Sequence, residues 1–322
     1  MHGGLSPGRV QRVEAAVIIA KRIQNTMLPK ISIVVPSYNA AATIVRTLDS
    51  LARQAYPNLQ VICVDGNSND ETVSLIREFG SLVVHLISEQ DRGPANAINK
   101  GFRLADGDLF GWLGADDELA PGALRHFAQV FADHPDADLV TGGCRRIFAD
   151  GSEVETQVRG DFQEVVSFFN GIEQPSTLWR SKLHRLAGEL DESYQLAFDW
   201  EWWNRLNSIG ARFLATDHIL SHYHFSDSNR TSVGGRSVVR EMYRVVKEYG
   251  PYRGLTADLY YSLYRVFDLR GFYDKPRELP RWKKWVFFGT LSALYRLFDS
   301  KVVNLYNWNF ASKQERGLCW YK

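Results

Sequence analysis

Residues 31–65, ISIVVPSYNAAATIVRTLDSLARQAYPNLQVICVD, decide the fold. The stretch opens on a short β-branched run at 31–35 that Pro36 ends, and residues 43–54 follow with Ile44, Leu48 and Leu51 at helical spacing. A second apolar run, 59–64, stops at Asp65, and the turn-rich GNSND of residues 66–70 leads into a second helical pattern over 71–79. A third apolar run covers residues 82–88. Strand, helix, strand, helix, strand in that order predicts parallel strands joined by right-handed crossovers, and so an α/β protein. A dinucleotide-binding domain opens in the same way, but its first loop needs G-x-G-x-x-G for the backbone to approach a pyrophosphate. Here that loop reads PSYNAAAT, which argues against an NAD-type enzyme.

Further along, residues 106–118, DGDLFGWLGADDE, deliver two adjacent carboxylates, Asp116 and Asp117, from the end of an apolar run over 109–113. They fall at a strand's carboxyl end, where open α/β sheets bind their ligands. Two hard oxygen ligands suit Mg²⁺ or Mn²⁺, held by one or two carboxylates together with substrate phosphates. The alternative is a plain Asp-Asp helix cap ahead of Leu119 and Pro121.

Composition bounds the rest. The chain has 322 residues, 45% hydrophobic and 13% aromatic, enough for one large domain or about two. Its three cysteines, Cys63, Cys144 and Cys319, are too scattered for a disulfide framework or a zinc knuckle and point to a reducing compartment. The net charge of +1 hides an asymmetry: residues 236–322 hold 17 Lys and Arg against 8 Asp and Glu, leaving 21 against 29 for residues 1–235. No apolar run is long enough to span a bilayer, and residues 15–20 are too short for a signal-peptide core. Residues 9–28 are expected to form an amphipathic helix with Val10, Val13, Val17 and Ala20 near one face.

Five motifs in order, PSYN (36–39), VDGNSND (64–70), EQDRG (89–93), AINKG (97–101) and ADD (115–117), resemble the nucleotide-sugar-binding half of the family 2 glycosyltransferases. The resemblance covers about residues 30–235 and implies the GT-A fold: a mostly parallel sheet with helices on both faces, binding a nucleotide diphosphate sugar. It implies a donor site formed by Pro36, Tyr38, Asn39, Asp65, Asp91, Arg92 and Asp116, with Asp117 as the metal ligand and Asp116 nearer the sugar or ribose hydroxyls. Physical chemistry agrees with these residue types. A strand-end carboxylate such as Asp65 can accept a donor N–H of the base, or else cap the turn behind it. A guanidinium such as Arg92 can pair with a diphosphate oxygen, or form a solvated loop ion pair with a neighbour. Asp70, just before Glu71 and Thr72, is expected to be structural, and Lys100 to cover a helix face. Many family members carry Asp where this chain has Asn96.

Residues 138–142 form another expected strand, and 145–155 a hairpin turning at Asp150-Gly151. Residues 171–182 and 190–205 supply the acceptor half of the family pattern. Asp199 aligns with the family's catalytic base, a carboxylate that takes the acceptor hydroxyl's proton in an inverting transfer, with Glu201 as runner-up. The alternative for Asp199 is a helix N-cap, with Glu201 and Arg205 as an i, i+4 pair. Trp202 and Trp203 are weighed as core residues against a sugar platform. A short strand is expected near Phe213, Leu214, Ile219 and Leu220, and beyond it His224 is a candidate metal ligand in a register that does not align cleanly with the family.

The tail reads as helical at 236–248 and 257–267. A last helix at 281–298, with basic and aromatic residues at its start, suits either a membrane interface or packing on the catalytic domain. Nucleic acid is a poor partner, since no binding motif accompanies the charge. The expected organisation is thus an N-terminal helical extension (1–29), a GT-A catalytic domain (30–235) and a basic, aromatic-rich helical region (236–322). The expected activity is an inverting, metal-dependent, non-processive transfer from a nucleotide diphosphate sugar, a UDP-sugar favoured, to a glycan or lipid-linked acceptor in surface polysaccharide synthesis. The expected place is cytoplasmic, or peripheral on the inner face of the cytoplasmic membrane if the last helix lies on it. Two rivals are a nucleotidyltransferase, which would need a Gly-rich basic first loop, and a non-catalytic sugar-binding scaffold.

Overall fold

The computed structural model describes residues 28–158, 160–225 and 235–250, and beyond these 252–255, 257, 258, 261, 262, 282, 293 and 297. The expected helices at 9–28 and 281–298 lie outside the described residues, apart from Leu28, Trp282, Ala293 and Leu297.

The opening pattern folds as its periodicity predicts. β1 (Ile31–Ser37), α1 (Ile44–Ala52), β2 (Leu59–Asp65), α2 (Thr72–Glu78), β3 (Val83–Ser88), α3 (Pro94–Phe102) and β4 (Leu109–Trp112) follow one another. β1 pairs in parallel with β2 and β4, and β2 in parallel with β3. Alternation along β1 splits the core into two layers. Ile31, Ile33 and Val35 pack with Ile44, Leu48 and Leu51 of α1 on one face. Val34 packs with Ile98 and Phe102 of α3 on the other. Pro36 does not end β1, as the sequence suggested: the strand runs through it to Ser37, paired with β2 alone. Pairing with β4 has stopped at Val34 and Trp112, so the missing N–H of Pro36 breaks no ladder on that side.

The second half curls the sheet onward through β5 (Asp117–Leu119), α4 (Ala123–Asp133), β6 (Leu139–Phe148), β7 (Glu153–Thr156), α5 (Phe162–Val165), β8 (Thr177–Arg180), α6 (Ser181–Ala187), α7 (Phe198–Ser208) and β9 (Phe213–Phe225). The strand order is β3-β2-β1-β4-β8-β6-β9-β5, with β7 paired to β6. β8 opposes both β4 and β6, β7 opposes β6 and β5 opposes β9, while β6 and β9 run parallel, so the other six strands share one direction. The hairpin β6–β7 turns at Asp150-Gly151 as expected, Gly151 at φ +79 and the Ser152 N–H donating to Asp150 Oδ1 at 3.0 Å.

α8 (Gly235–Tyr249) follows. Its Met242, Val245 and Val246 join the same buried cluster as Trp200, Trp202 and Trp203 of α7, across the expected boundary at residue 235.

Candidate active site

The Asp116-Asp117 pair lies where β4 gives way to β5. A helix cap is not its role: the N-cap position of α4 is Gly122, at φ +79, and no side chain caps that helix. A Cβ built on Gly114 would lie 2.8 Å from Asp116 Oδ1 and 2.9 Å from Asp117 Oδ2, so the glycine leaves room for two carboxylates to converge. Asp117 is 4% exposed, and its Oδ1 is buried with no hydrogen-bond partner. Burial pushes the carboxyl of Asp116 up, and that of Asp117 well up, where the charge of Asp116 adds to the effect and Arg46 opposes it.

α1 and Gln54 just beyond it hold the backbone of this segment through a row of polar side chains. Arg46 Nη2 donates to the Asp116 carbonyl at 3.0 Å and Thr47 Oγ1 to the Asp117 carbonyl at 2.8 Å. Ser50 Oγ accepts the Leu119 N–H at 3.1 Å, and Gln54 Nε2 donates to the Ala120 carbonyl at 2.9 Å. On the other side β5 is stitched to β9, with Asp117 opposite Tyr223 and Glu118 opposite His222. His224, the candidate metal ligand, therefore arrives beside the pair, and its Nε2 lies 2.7 Å from Glu118 Oε1. Among the described residues no three His, Cys, Asp or Glu side chains gather as a metal cage. An ion held by Asp116 and Asp117 would complete its shell with phosphate and water oxygens, the usual arrangement for Mg²⁺.

The loops after β1 and β2 are tied together. Asn39, at φ +47, receives the Asn69 N–H on Oδ1 at 3.0 Å, and its own N–H donates to Ser68 Oγ at 2.8 Å. Asp70 accepts the N–H of Thr72 at 3.0 Å and of Ala41 at 3.1 Å, the structural role expected of it. Asp65 is fully buried and accepts the Ser68 N–H at 2.9 Å, Ser88 Oγ at 2.8 Å and the Ser68 hydroxyl. Both its oxygens hold the turn, the second of the two readings the sequence left open. Tyr38 stays 63% exposed, and it shares the neighbourhood of Gly66 with Asp91: a Cβ on Gly66 would lie 2.5 Å from Asp91 Oδ2 and 3.4 Å from Tyr38 Cδ2. Asp91 and the exposed ring of Tyr38 thus both border Gly66.

Arg92, which the resemblance implies for the donor site, makes a loop ion pair in this structure. Its guanidinium pairs with Glu192, Nε lying 3.0 Å from Oε2. Glu192 also accepts Asn96 Nδ2 at 2.9 Å and Asn99 Nδ2 at 3.2 Å. Burial would raise the Glu192 carboxyl, but the hydrogen bonds from Asn96, Arg92 and Asn99 hold it below the usual carboxylate range. Asn96 is therefore a partner of Glu192 in this chain. Nothing local in the sequence marks Glu192, because its partners lie about a hundred residues away. Lys100 pairs with Glu89 at 2.7 Å and the Gln90 carbonyl at 2.9 Å, covering the helix as expected.

Asp199 stands in the first turn of α7, two residues past the N-cap position at Ala197, which makes no side-chain cap bond. Its Oδ1 accepts the Trp200 N–H at 2.7 Å and its Oδ2 lies 3.5 Å from Asn170 Nδ2. Phe198 sits 6.0 Å from the Trp112 ring, and Trp203 stacks on Trp112 at 5.7 Å. Those contacts bring the start of α7 to the end of β4, which leads to Asp116. The runner-up Glu201 is 4% exposed and bound by Arg205 Nη2 at 2.6 Å and Tyr249 Oη at 3.0 Å, so it is an internal ion pair. Trp202 and Trp203 are fully buried core residues.

A sequence profile described as Glycosyl transferase family 2 matches residues 32–190. A PGL/p-HBAD biosynthesis glycosyltransferase of Mycobacterium bovis is 29% identical over 213 residues, 64% of this chain and 81% of the relative. The amylovoran biosynthesis glycosyltransferase AmsB of Erwinia amylovora is 29% identical over 221 residues, 64% of this chain and 73% of AmsB. The structure of S. aureus TarS 1–349 in complex with UDP-GlcNAc superposes with a TM-score of 0.56 at 17% identity, covering 89% of this chain and 93% of that one. A longer TarS chain is covered over 53% of its length. The mannosyltransferase PcManGT from Pyrobaculum calidifontis, in complex with GDP-Man and Mn²⁺, gives 0.55 at 19% identity over 89% of this chain and 87% of its own. At such identities the structural likeness shows the shared fold.

Proposed function

Since this chain belongs to the family 2 glycosyltransferases and has their GT-A fold, we propose that it moves one sugar, with inversion, from a nucleotide diphosphate sugar to a glycan or lipid-linked acceptor. A UDP-sugar is the favoured donor, and surface polysaccharide or glycolipid assembly the setting. Relatives named for biosynthesis of such products support the setting, and the neighbour bound to UDP-GlcNAc supports the donor class. No helix among the described residues is long and apolar enough to cross a membrane. A cytoplasmic enzyme meeting its acceptor at the inner membrane face accords with that reading.

One observation carries the proposal: the buried, unpartnered Oδ1 of Asp117 beside a second carboxylate. Two anions this close repel and are desolvated, and a divalent cation removes both costs. Asp117 and Asp116 fit Mg²⁺ or Mn²⁺, which when bound supplies Lewis-acid stabilisation of the leaving diphosphate. The neighbour solved with GDP-Man and Mn²⁺ is in accord. The surface at Tyr38, Gly66 and Asp91 receives the base, Pro36 and Asn39 shape its loop, and Asp65 keeps that loop in place. Arg92 reaches the donor only by leaving Glu192. Asp199 takes the proton of the acceptor hydroxyl while that oxygen bonds to the anomeric carbon and the bond to phosphate breaks. The catalytic unit spans residues 30 to about 250, because α8 is built into the same core.

The test compares wild type, Asp117→Ala and Asp199→Asn by thermal shift with UDP, GDP, dTDP and CMP, with and without Mn²⁺, and by turnover of the matching sugar nucleotide. A native-state ligand at 100 times its Kd stabilises by about 2.7 kcal/mol. One nucleoside diphosphate should stabilise wild type only with metal, Asp117→Ala should lose that shift, and Asp199→Asn should keep it yet lose turnover. A panel that leaves wild type unshifted, or an Asp199→Asn variant that still transfers, refutes the assignment.

A further inference from the structure

We propose that Glu241 is a positioning residue for transfer: from α8, outside the family match, it fixes the backbone that presents Asp199. The proposal rests on the reading of Asp199 as the base.

The first N–H groups of a helix have no partner within it, and a side chain at the N-cap usually supplies one. α7 has Ala197 at that position and no side-chain cap of its own. The carboxylate arrives instead from 44 residues further on. Glu241 Oε2 accepts the N–H of Ala197 at 2.9 Å and of Leu196 at 2.8 Å, and Oε1 accepts the N–H of Gln195 at 2.9 Å. Three consecutive backbone donors converge on one side chain that is only 7% exposed. Such charge-assisted bonds are short and strong, and a negative charge is favoured where the helix dipole is positive. One turn along α8, Arg244 grips the preceding residues: Nη2 reaches Ser193 Oγ at 2.8 Å, and the guanidinium lies 4.0 Å over the Tyr194 ring.

The clasped segment borders both halves of the site. Two residues beyond Ala197 stands Asp199. At its other end Gln195 Nε2 donates to the Arg92 carbonyl at 3.2 Å and the Glu192 carbonyl at 3.1 Å, against Gly93 at φ +120. Glu241 thus sets the distance between the base and the donor loop without touching either substrate. Misplacing a reacting group by about 1 Å costs on the order of 100-fold in rate.

Turnover is read as release of nucleoside diphosphate from UDP-GlcNAc, UDP-glucose and GDP-mannose with Mn²⁺, water serving as acceptor. Affinity for UDP with Mn²⁺ is read by calorimetry, and amide exchange by mass spectrometry. Glu241→Ala and Glu241→Gln are compared with Lys247→Gln, a change on the same helix at an exposed pair with Asp258. The glutamine keeps one acceptor oxygen but turns an N–H toward another N–H, so it carries the test even if the alanine variant fails to fold. Both Glu241 variants should lose kcat by roughly 10- to 100-fold. UDP affinity should stay within about 2-fold, and exchange should rise over residues 195–200 but not in β1 or β4. Lys247→Gln should match wild type. A folded Glu241→Gln enzyme at full kcat, while Asp199→Asn is dead, overturns this proposal alone; an active Asp199→Asn overturns it together with the base.

Discussion

His184 lies among the rings of Phe102, Phe110 and Trp202, with centroids at 4.8, 5.8 and 5.5 Å, and its Nδ1 is buried without a hydrogen-bond partner. Burial pushes its imidazole down from 6.5 to about 4, with Glu189 opposing and Arg205 adding. Between those values the unfolded chain takes up a proton that the folded chain refuses. Stability is therefore full above pH 6.5 and falls as the pH drops toward 4. At pH 5 the loss is about 2 kcal/mol, at 1.36 kcal/mol per unit. His184→Phe, which keeps the ring, should flatten the fall in Tm between pH 7 and 5, and an unchanged slope would refute the assignment. At this scale the sequence is legible where chemistry is local: Asp116 and Asp117 stand out as a pair after an apolar run. Glu192 and Glu241 do not, since their partners are brought in only by the fold. Asp65 could be read as a base contact or a turn cap, and only the fold shows it buried with Ser37, Ser68 and Ser88 around it.

α1 presents two faces. Ile44, Leu48 and Leu51 are legible from spacing alone, whereas Thr47, Ser50 and Gln54, also buried, read as indifferent polar residues until the Asp117–Ala120 backbone is laid beside them. Thr47→Val strips the Asp117 carbonyl of its donor in a fully buried place, a change worth about 1–3 kcal/mol. It should lower Tm and raise the Mn²⁺ concentration needed for the nucleotide-dependent shift, with Thr47→Ser restoring both. A Thr47→Val protein with unaltered Mn²⁺ dependence would show that the row of polar side chains serves stability only. β9 illustrates the opposite difficulty. Its two apolar patches suggested one short strand, because the register shifts around Gly143 break the alternation that would have disclosed 13 residues.

The family match ends at residue 190, yet the core does not. Met242, Val245 and Val246 are 5%, 0% and 0% exposed beneath the tryptophans of α7. Burying three such side chains contributes roughly 5–9 kcal/mol, comparable to the whole net stability of an ordinary domain. A chain ending at residue 234 should therefore lose its cooperative thermal transition, whereas one ending at 262 should keep it; calorimetry of the two distinguishes an integral helix from an appendage. The end of the resemblance near residue 235 and the change in charge balance there suggested a boundary, since neither registers which later side chains join the cluster of Trp203.

The partner of β5 is β9, so the strand that bears Asp117 pairs with residues about a hundred positions later in the chain. During synthesis β1 to β4 can pair as soon as residue 112 clears the ribosome, since three of their four ladders are made among themselves and only β8, on the far side of β4, comes later. β5, which bears Asp117, then waits, unpaired, until Tyr223 emerges. A ribosome stalled between those points would hold four paired parallel strands while the strand that bears Asp117 still lacks its neighbour, so the surroundings of the two aspartates are completed only late in synthesis.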